Sequence, residues 1–288
     1  MAFTGVPIGE ALDSAVIALT AAGVDTPRLD AEILLAHALG VDRGRLRIDS
    51  DRPVEGAAVR AFQTAVRRRG VGREPVAYIT GTRGFRHIDL QVDPRVLIPR
   101  PATETLVEAA VTALPHGARV VDVGTGSGAV ALALKDERPD LDVVATDVSP
   151  GAAAVARANA DRLGLAVAVI EGDLLAGLTD VDAVVSNPPY VERDARLEPE
   201  LGHEPDLALF GGDDGLEVLR RLAAATAHVP WVAVEVGSGQ AAAVADLLTT
   251  AGANSLDRSY GGRGSSRPAT TTHRDLAGIE RVVVSSRS

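Results

Sequence analysis

Four consecutive residues, Asn187-Pro188-Pro189-Tyr190, close the apolar run 182–186. With 16 prolines and three tyrosines in 288 residues, this tetrad is expected by chance only about 10⁻⁴ times, so it is read as a motif. Its residue types suit one kind of chemistry. The nitrogen of a planar amide or aromatic amine is a poor nucleophile, because its lone pair is delocalised into the π-system. Two acceptors on its two N–H bonds would orient it and favour pyramidalisation as an electrophile arrives. Asn187 offers a side-chain carbonyl, and Pro188 a main-chain carbonyl whose direction the following Pro189 helps to fix. Tyr190 can lie against the flat face of the acceptor. In-line attack on a sulfonium methyl group neutralises charge at sulfur, so positioning supplies much of the help and no strong base is required early.

A second constellation lies upstream. The run 119–123 leads through Asp122 into Gly124-Thr125-Gly126-Ser127-Gly128 and then a helical pattern. Glycines at a strand-to-helix turn let the backbone approach a ligand without a Cβ in the way. Asp147 ends the next strand, where a carboxylate can accept from both hydroxyls of a ribose. Asp173 follows the third strand, within reach of an adenine amino group. A dinucleotide fold also uses a glycine-rich turn and a downstream acid. Its pyrophosphate, however, rests on a helix N-terminus, and Asp122 in the turn opposes that anion. S-adenosylmethionine carries an ammonium and a sulfonium and no phosphate, so it is the cofactor expected.

These loops need strands to hold them. From 117 onward, short β-branched runs at 119–123, 142–146, 166–170, 182–186 and 231–236 alternate with helical segments at 127–136, 150–163, 214–227 and 239–250. Such alternation predicts a parallel α/β sheet with helices on both faces and a ligand site at the carboxyl ends of the strands. A last strand is expected at 280–285, after 257–274, whose Gly, Ser, Thr and Arg content reads as a mobile surface loop.

The first part of the chain differs. Ile8, Leu12, Ala15, Val16 and Leu19 recur at helical spacing up to Gly23. Thr26-Pro27 supplies an N-cap followed by proline at the first helical position, and Leu29, Ile33, Leu34, Ala36 and Leu39 form a stripe closed by Gly40. A third helix is expected over 54–69. The domain organisation predicted is a helical substrate-recognition domain at 1–74, a hairpin and rigid linker at 75–101, and a catalytic domain at 102–288.

The formal charge is −10 with 46% hydrophobic residues, which excludes a disordered chain and argues against a general nucleic-acid binder. Without cysteine there is no disulfide, zinc-thiolate site or thiol nucleophile. No signal peptide or membrane span is expected, so the reading is a cytoplasmic protein. The six histidines have no ligand spacing, and no metal is expected. P-loop and Gly-x-Ser-x-Gly signatures are missing. Residues 43–100 carry 13 arginines against six acidic residues, either a solvated helical face or a docking surface for an acidic partner. Glu198, Glu200 and Glu204 read as a solvated loop, with acceptor docking as the other reading.

The chain resembles the HemK-type (PrmC) glutamine methyltransferases of peptide chain release factors. The resemblance runs from the helical N-terminal part to Asp275-Leu276-Ala277-Gly278-Ile279-Glu280-Arg281. It is carried by Glu74-Pro75 with Tyr78-Ile79 and Gly81, by Leu97-Ile98-Pro99-Arg100-Pro101 with Thr103-Glu104, by Glu204-Pro205, Ala208-Leu209 and Gly212, and by Asp214-Gly215-Leu216. It implies a Rossmann-like class I methyltransferase fold. The implied reaction is methylation of the glutamine side-chain amide in a release factor's Gly-Gly-Gln motif. The glycine loop would contact the methionine part, Asp147 the ribose, Asp173 and Leu174 the adenine, and Asn187 to Tyr190 the glutamine. Arg100 and Glu104 would help wall the site. The partner implied is a release factor bound by a monomer, with no membrane or stable nucleic-acid complex. The Asn-Pro-Pro-Tyr motif is shared with adenine amino-methyltransferases, so a ribosomal protein glutamine or adenine in nucleic acid is the alternative acceptor. Departures from the family pattern are Ala102, where an acid is usual, Leu174, where an aromatic is frequent, and the long 257–274 connection.

Overall fold

The computed structural model describes residues 5–259 and 268–287, without the side chains of 254–259. It divides into two compact units, Met1–Thr82 with Leu197–His203, and Arg83–Arg196 with Glu204–Ser288.

The first unit is helical. Two-residue strands β1 (Val6–Pro7) and β2 (Pro53–Val54) pair antiparallel beside α1 (Ile8–Ala21), α2 (Pro27–Leu39), α3 (Arg43–Ile48), α4 (Ala57–Gly70) and α5 (Val76–Thr80). On α1 the expected spacing is the buried face: Ile8, Leu12, Ala15 and Leu19. On α2 the stripe is rotated, with Ala31, Leu34 and Leu35 buried and Leu29 exposed. The Thr26 hydroxyl does not cap α2. It donates to Asp30 Oδ1 at 2.8 Å. Short α3 has no long apolar repeat to announce it and is started by Asp42, whose side chain accepts from Gly44 N at 2.7 Å. Within this core Arg69 and Asp30 form a buried ion pair at 2.6 Å, and Arg69 also reaches Glu200 at 2.7 Å.

The second unit opens with the hairpin β3 (Thr82–Phe85) and β4 (Ile88–Gln91), followed by a 3₁₀ turn, Pro101–Thr103, and α6 (Glu104–Ala113). The alternating part comprises β5 (Arg119–Val123), α7 (Ala129–Glu137), β6 (Asp142–Asp147), α8 (Pro150–Leu163), β7 (Ala168–Glu171) and β8 (Ala183–Ser186). It continues with α9 (Asp206–Leu209), α10 (Glu217–Ala225), β9 (Trp231–Glu235), α11 (Ala241–Ser259), β10 (Ala269–Arg274) and β11 (Glu280–Ser286). Seven strands form one sheet in the order β10-β11-β9-β8-β5-β6-β7. β5 to β9 are parallel, and β11 is antiparallel to both β9 and β10. Central β5, β8 and β9 are buried nearly throughout and are mostly Val and Ala, as a sheet covered on both faces requires.

The chain runs outward from β5 through β6 to β7, then returns to place β8 on the other side of β5. This reversal opens a crevice at the carboxyl ends of β5 and β8. One expectation fails here. Residues 269–274 are a strand, because a run of threonines fits a pleated edge, and α11 extends through 259. Residues 260–267, the rest of the expected loop, lie outside the described residues.

Candidate active site

A cleft opens at that switch point, lined by the β5–α7 turn, the ends of β6 and β8, the segment after β7, and part of the linker before α6. The β5–α7 turn is a run of left-handed glycines: Gly124, Gly126 and Gly128 have φ of 72°, 58° and 86°. At Gly128 any side chain would be strained, and a Cβ would meet Leu132 Cδ1 at 2.8 Å. The turn is held from below. Gly124 N and Thr125 N both donate to Thr146 O, at 2.9 and 3.0 Å. Fully buried Asn159 on α8 donates to Ser127 O at 2.9 Å and exchanges two hydrogen bonds with the Gln91 backbone, tying the turn to the hairpin.

Asp122 lies at the floor of the cleft, 1% exposed. Its Oδ2 accepts from Thr125 Oγ1 at 2.6 Å and from Ala131 N at 3.1 Å. Burial, with a smaller push from Asp147, raises its carboxyl to about 6, against the lowering effect of those two donors. The carboxylate therefore braces the glycine turn from within as well as lining the cleft. Asp147, at the end of β6, is 8% exposed and accepts Gly126 N on Oδ2 at 2.9 Å and Ser149 N on Oδ1 at 2.8 Å. Each oxygen keeps a further acceptor site for a ligand hydroxyl. Burial raises its pKa, and the two amides oppose the rise. Leu174 lines the cleft with φ +50°, held by Thr146 Oγ1 donating to its carbonyl at 2.6 Å. Asp173 also lines it, but half-exposed and ion-paired with Arg221.

At the mouth, Ser186 is anchored through its hydroxyl to Val123 O at 2.7 Å. Asn187 follows, its Nδ2 donating to Thr103 Oγ1 at 3.1 Å. Both amide hydrogens lie on the Nδ2 side, so Oδ1 is the acceptor that Asn187 keeps for the cleft. Asn187, Pro188 and Pro189 line the cleft, whereas Tyr190 does not. The Tyr190 ring packs against the core beside β9, and its hydroxyl donates to Glu235 Oε1 at 3.4 Å. Burial, reinforced by Glu235, pushes its pKa up to about 12. The Tyr190 carbonyl accepts from Gln240 Nε2 at 3.1 Å. A Cβ on Gly215 would collide with that carbonyl, which accounts for the glycine in Asp214-Gly215-Leu216.

Of the linker, Leu97, Pro99 and Thr103 line the cleft and Arg100 and Glu104 do not. Arg100 pairs instead with Glu204, a buried carboxylate that also accepts from Ile98 N at 3.1 Å. The acidic cluster is thus no solvated loop: Glu204 clamps the linker, Glu200 is bound by Arg69 and Arg73, and only Glu198 is exposed. The basic stretch is paired in part: Arg86 is held by Glu137 and Glu108 and Arg68 by Glu74, whereas Arg43, Arg47, Arg52, Arg60 and Arg67 are exposed. Thr103, Asn159 and Glu235 carry no motif that identifies them alone. Only Thr103, two residues after the Pro-Arg-Pro run, has a signal to find it by.

Comparison with known proteins places this geometry. Residues 10–81 match the family model described as the PrmC N-terminal domain, and 100–204 match the methyltransferase small domain. The release factor glutamine methyltransferase of Mycolicibacterium smegmatis is 43% identical over 283 residues, 96% of each chain. The chain belongs to the release factor glutamine methyltransferase family. A relative of the same name from Xylella fastidiosa is 47% identical over 248 residues, 82% of this chain and 90% of that one. Among solved structures, the catalytic domain of human METTL16 in complex with a MAT2A 3′UTR hairpin superposes with a TM-score of 0.52. It covers 80% of this chain and 81% of that one at 16% identity, a likeness of fold alone. Among the described residues, no helix is long and apolar enough to cross a membrane.

Proposed function

We propose that this protein transfers a methyl group from S-adenosylmethionine to the side-chain amide nitrogen of the glutamine in a release factor's Gly-Gly-Gln motif, in the cytoplasm. The observation that carries the reading is the Asn187 amide, whose nitrogen is committed to Thr103 and whose oxygen is left for an acceptor N–H at the mouth of the cleft. The cleft suits the cofactor: it is lined by the buried carboxylates Asp122 and Asp147, and its glycine turn admits a close ligand. When bound, the cofactor supplies an electrophilic methyl group on a positively charged sulfur; the S–CH₃ bond breaks as the N–CH₃ bond forms, leaving S-adenosylhomocysteine as a neutral thioether, and the amide nitrogen then gives up one N–H proton to solvent. Gly124, Thr125, Gly126, Ser127 and Gly128 with Asp122 would hold its methionine part and Asp147 its ribose. Leu174 would pack on the adenine, and Asp173 would reach the adenine amino group from its ion pair with Arg221.

Asn187 Oδ1 and the Pro188 carbonyl accept the two N–H bonds of the glutamine amide and aim the nitrogen lone pair at the methyl group. This is catalysis by positioning and by acceptors fixed in advance. Pro189 stiffens the Pro188 carbonyl, and Tyr190 anchors the loop to the core. The helical unit recognises the protein substrate, and the enzyme acts as a monomer.

The test is transfer from labelled S-adenosylmethionine to intact release factor, a Gln→Ala release factor, ribosomal protein and DNA in parallel. Label confined to intact release factor is the expected result. Label on DNA or ribosomal protein would keep the chemistry and overturn the substrate. No label anywhere, with cofactor bound, would refute the enzymatic reading.

A further inference from the structure

Three residues stand abreast where the sheet meets the cleft. Val123 on β5 is level with Thr146 on β6 and with Ser186 on β8. Beyond that level the glycine turn and the Asn187 loop leave the sheet, and the regular ladder no longer fixes their spacing. Two side-chain hydroxyls stand at the same level, and both are buried: Ser186 is 1% and Thr146 0% exposed.

Each hydroxyl donates sideways to a neighbouring backbone carbonyl. Ser186 Oγ donates to Val123 O at 2.7 Å, which ties the residue before Asn187 to the residue before Gly124. Thr146 Oγ1 donates to Leu174 O at 2.6 Å, while the Thr146 carbonyl accepts from Gly124 N and Thr125 N. The ties form one row, from the Asn187 loop through the ends of β5 and β6 to Leu174. Leu174 needs its tie. A φ of +50° is unfavourable for a side chain of that size and persists only where the surroundings hold it.

We propose that Ser186 and Thr146 are positioning residues that set the spacing across the site. Ser186 sets it between the acceptor loop and the glycine turn, and Thr146 between that turn and the backbone carrying Leu174. This rests on the methyl-transfer reading above. A hydroxyl has one hydrogen, and each of these two is spent on a carbonyl, so neither has one left to donate to a ligand. Their effect on the reaction is therefore indirect, and it divides. The methyl group passes between the loops that follow β5 and β8, so the Ser186 bond bears on the distance from acceptor nitrogen to sulfonium. A displacement of about 1 Å at that point can cost about 10²-fold in rate. The adenine lies toward Leu174, so the Thr146 bond bears on how tightly the cofactor is held. Hydroxyls kept only for packing would show no such division.

The experiment compares Ser186→Ala, Thr146→Val and Thr146→Ser with wild type, each checked for folding by circular dichroism. The readouts are kcat on release factor at saturating cofactor, and calorimetric Kd for S-adenosylhomocysteine and 5′-methylthioadenosine. Ser186→Ala should lower kcat about 10- to 100-fold, with both Kd values within about twofold. Valine keeps the shape of threonine without the hydroxyl. It should raise both Kd values roughly 3- to 10-fold, the scale of one neutral hydrogen bond, with a smaller change in kcat. 5′-Methylthioadenosine carries the adenine and ribose without the amino-acid group, so equal weakening of the two ligands locates the effect at the Leu174 end. Thr146→Ser should restore both Kd values to within about twofold. Unchanged kcat in Ser186→Ala, parallel loss of kcat and Kd in either deletion, or a serine variant as impaired as valine would overturn the proposal. A wild type inactive on release factor would count against the functional reading instead, and the Thr146 arm, read by binding alone, would still decide this one.

Discussion

Replacing Asp147 by alanine tests the cofactor site at its most constrained carboxylate. The side chain is 8% exposed and serves two loop amides, Gly126 N at 2.9 Å and Ser149 N at 2.8 Å, so its position is fixed before any ligand arrives. A hydrogen bond to a charged group contributes about 1.5–3 kcal/mol. Loss of one such bond to the ribose should therefore weaken the cofactor by roughly 10- to 200-fold. Both amides lie at the rim of the cleft, where water can replace the carboxylate, so the fold itself should lose only about 1 kcal/mol. Calorimetric titration with S-adenosylmethionine and S-adenosylhomocysteine separates the contributions. The two ligands share a ribose and differ in the charge on sulfur, so a ribose contact predicts equal weakening of both. A 2′-deoxyribose analogue should bind less well than the parent to wild type and equally well to Asp147→Ala. Undiminished affinity would remove Asp147 from the ribose site, and weakening confined to the sulfonium ligand would mean that it senses charge.

Asn187→Ala should cut turnover by at least ~10²-fold, the scale of losing one preorganised transition-state contact, while cofactor Kd stays within about twofold; parallel loss of both would show that its role is misassigned. Asp122 is held near 6 by burial, above its ordinary value of 3.8. An acid raised in the folded state binds more protons there than in the unfolded chain, so its ionisation penalty develops between about pH 4 and 6. Asp122→Asn should accordingly gain stability relative to wild type across that window, by up to roughly 3 kcal/mol, and parallel denaturation curves at pH 4 and pH 7 would contradict this. Arg69→Ala leaves Asp30 buried without its cation and should cost about 3–5 kcal/mol in urea denaturation; a loss below 1 kcal/mol would place that pair effectively in water.

The strands and the loops that follow them were legible because both signals are local. A β-branched run that ends in Asp122 and Gly124, or in Asn187 and Pro188, states its own position in a parallel sheet. What escaped depends on partners far along the chain. Glu204 reads as one more surface acid until Ile98 and Arg100 are seen around it, and Glu235 as the end of an apolar strand until Tyr190 reaches it. Tyr190 itself was placed toward the acceptor by its neighbours in the motif. The side chain instead turns away from the cleft, since a residue type does not state its rotamer. The Ala269–Arg274 strand was missed because an edge strand exposed on both faces has no alternation of burial to reveal it.

The strand order also dictates how the second unit can be completed. β5, β6 and β7 pair in the order in which they emerge, and β8 then β9 add to the other side. β9 at that moment has an open edge of unpaired amides and carbonyls. Its neighbour β11 arrives only after α11 and β10 have passed, and pairs antiparallel with β9 as the inner arm of the β10–β11 hairpin. Until that hairpin docks, an apolar, buried-type strand has an edge open to pairing with another chain. β10 ends this exposure by giving the finished sheet a threonine-rich margin. The strand against which the Tyr190 ring packs is therefore covered on its far edge only by the C-terminal hairpin.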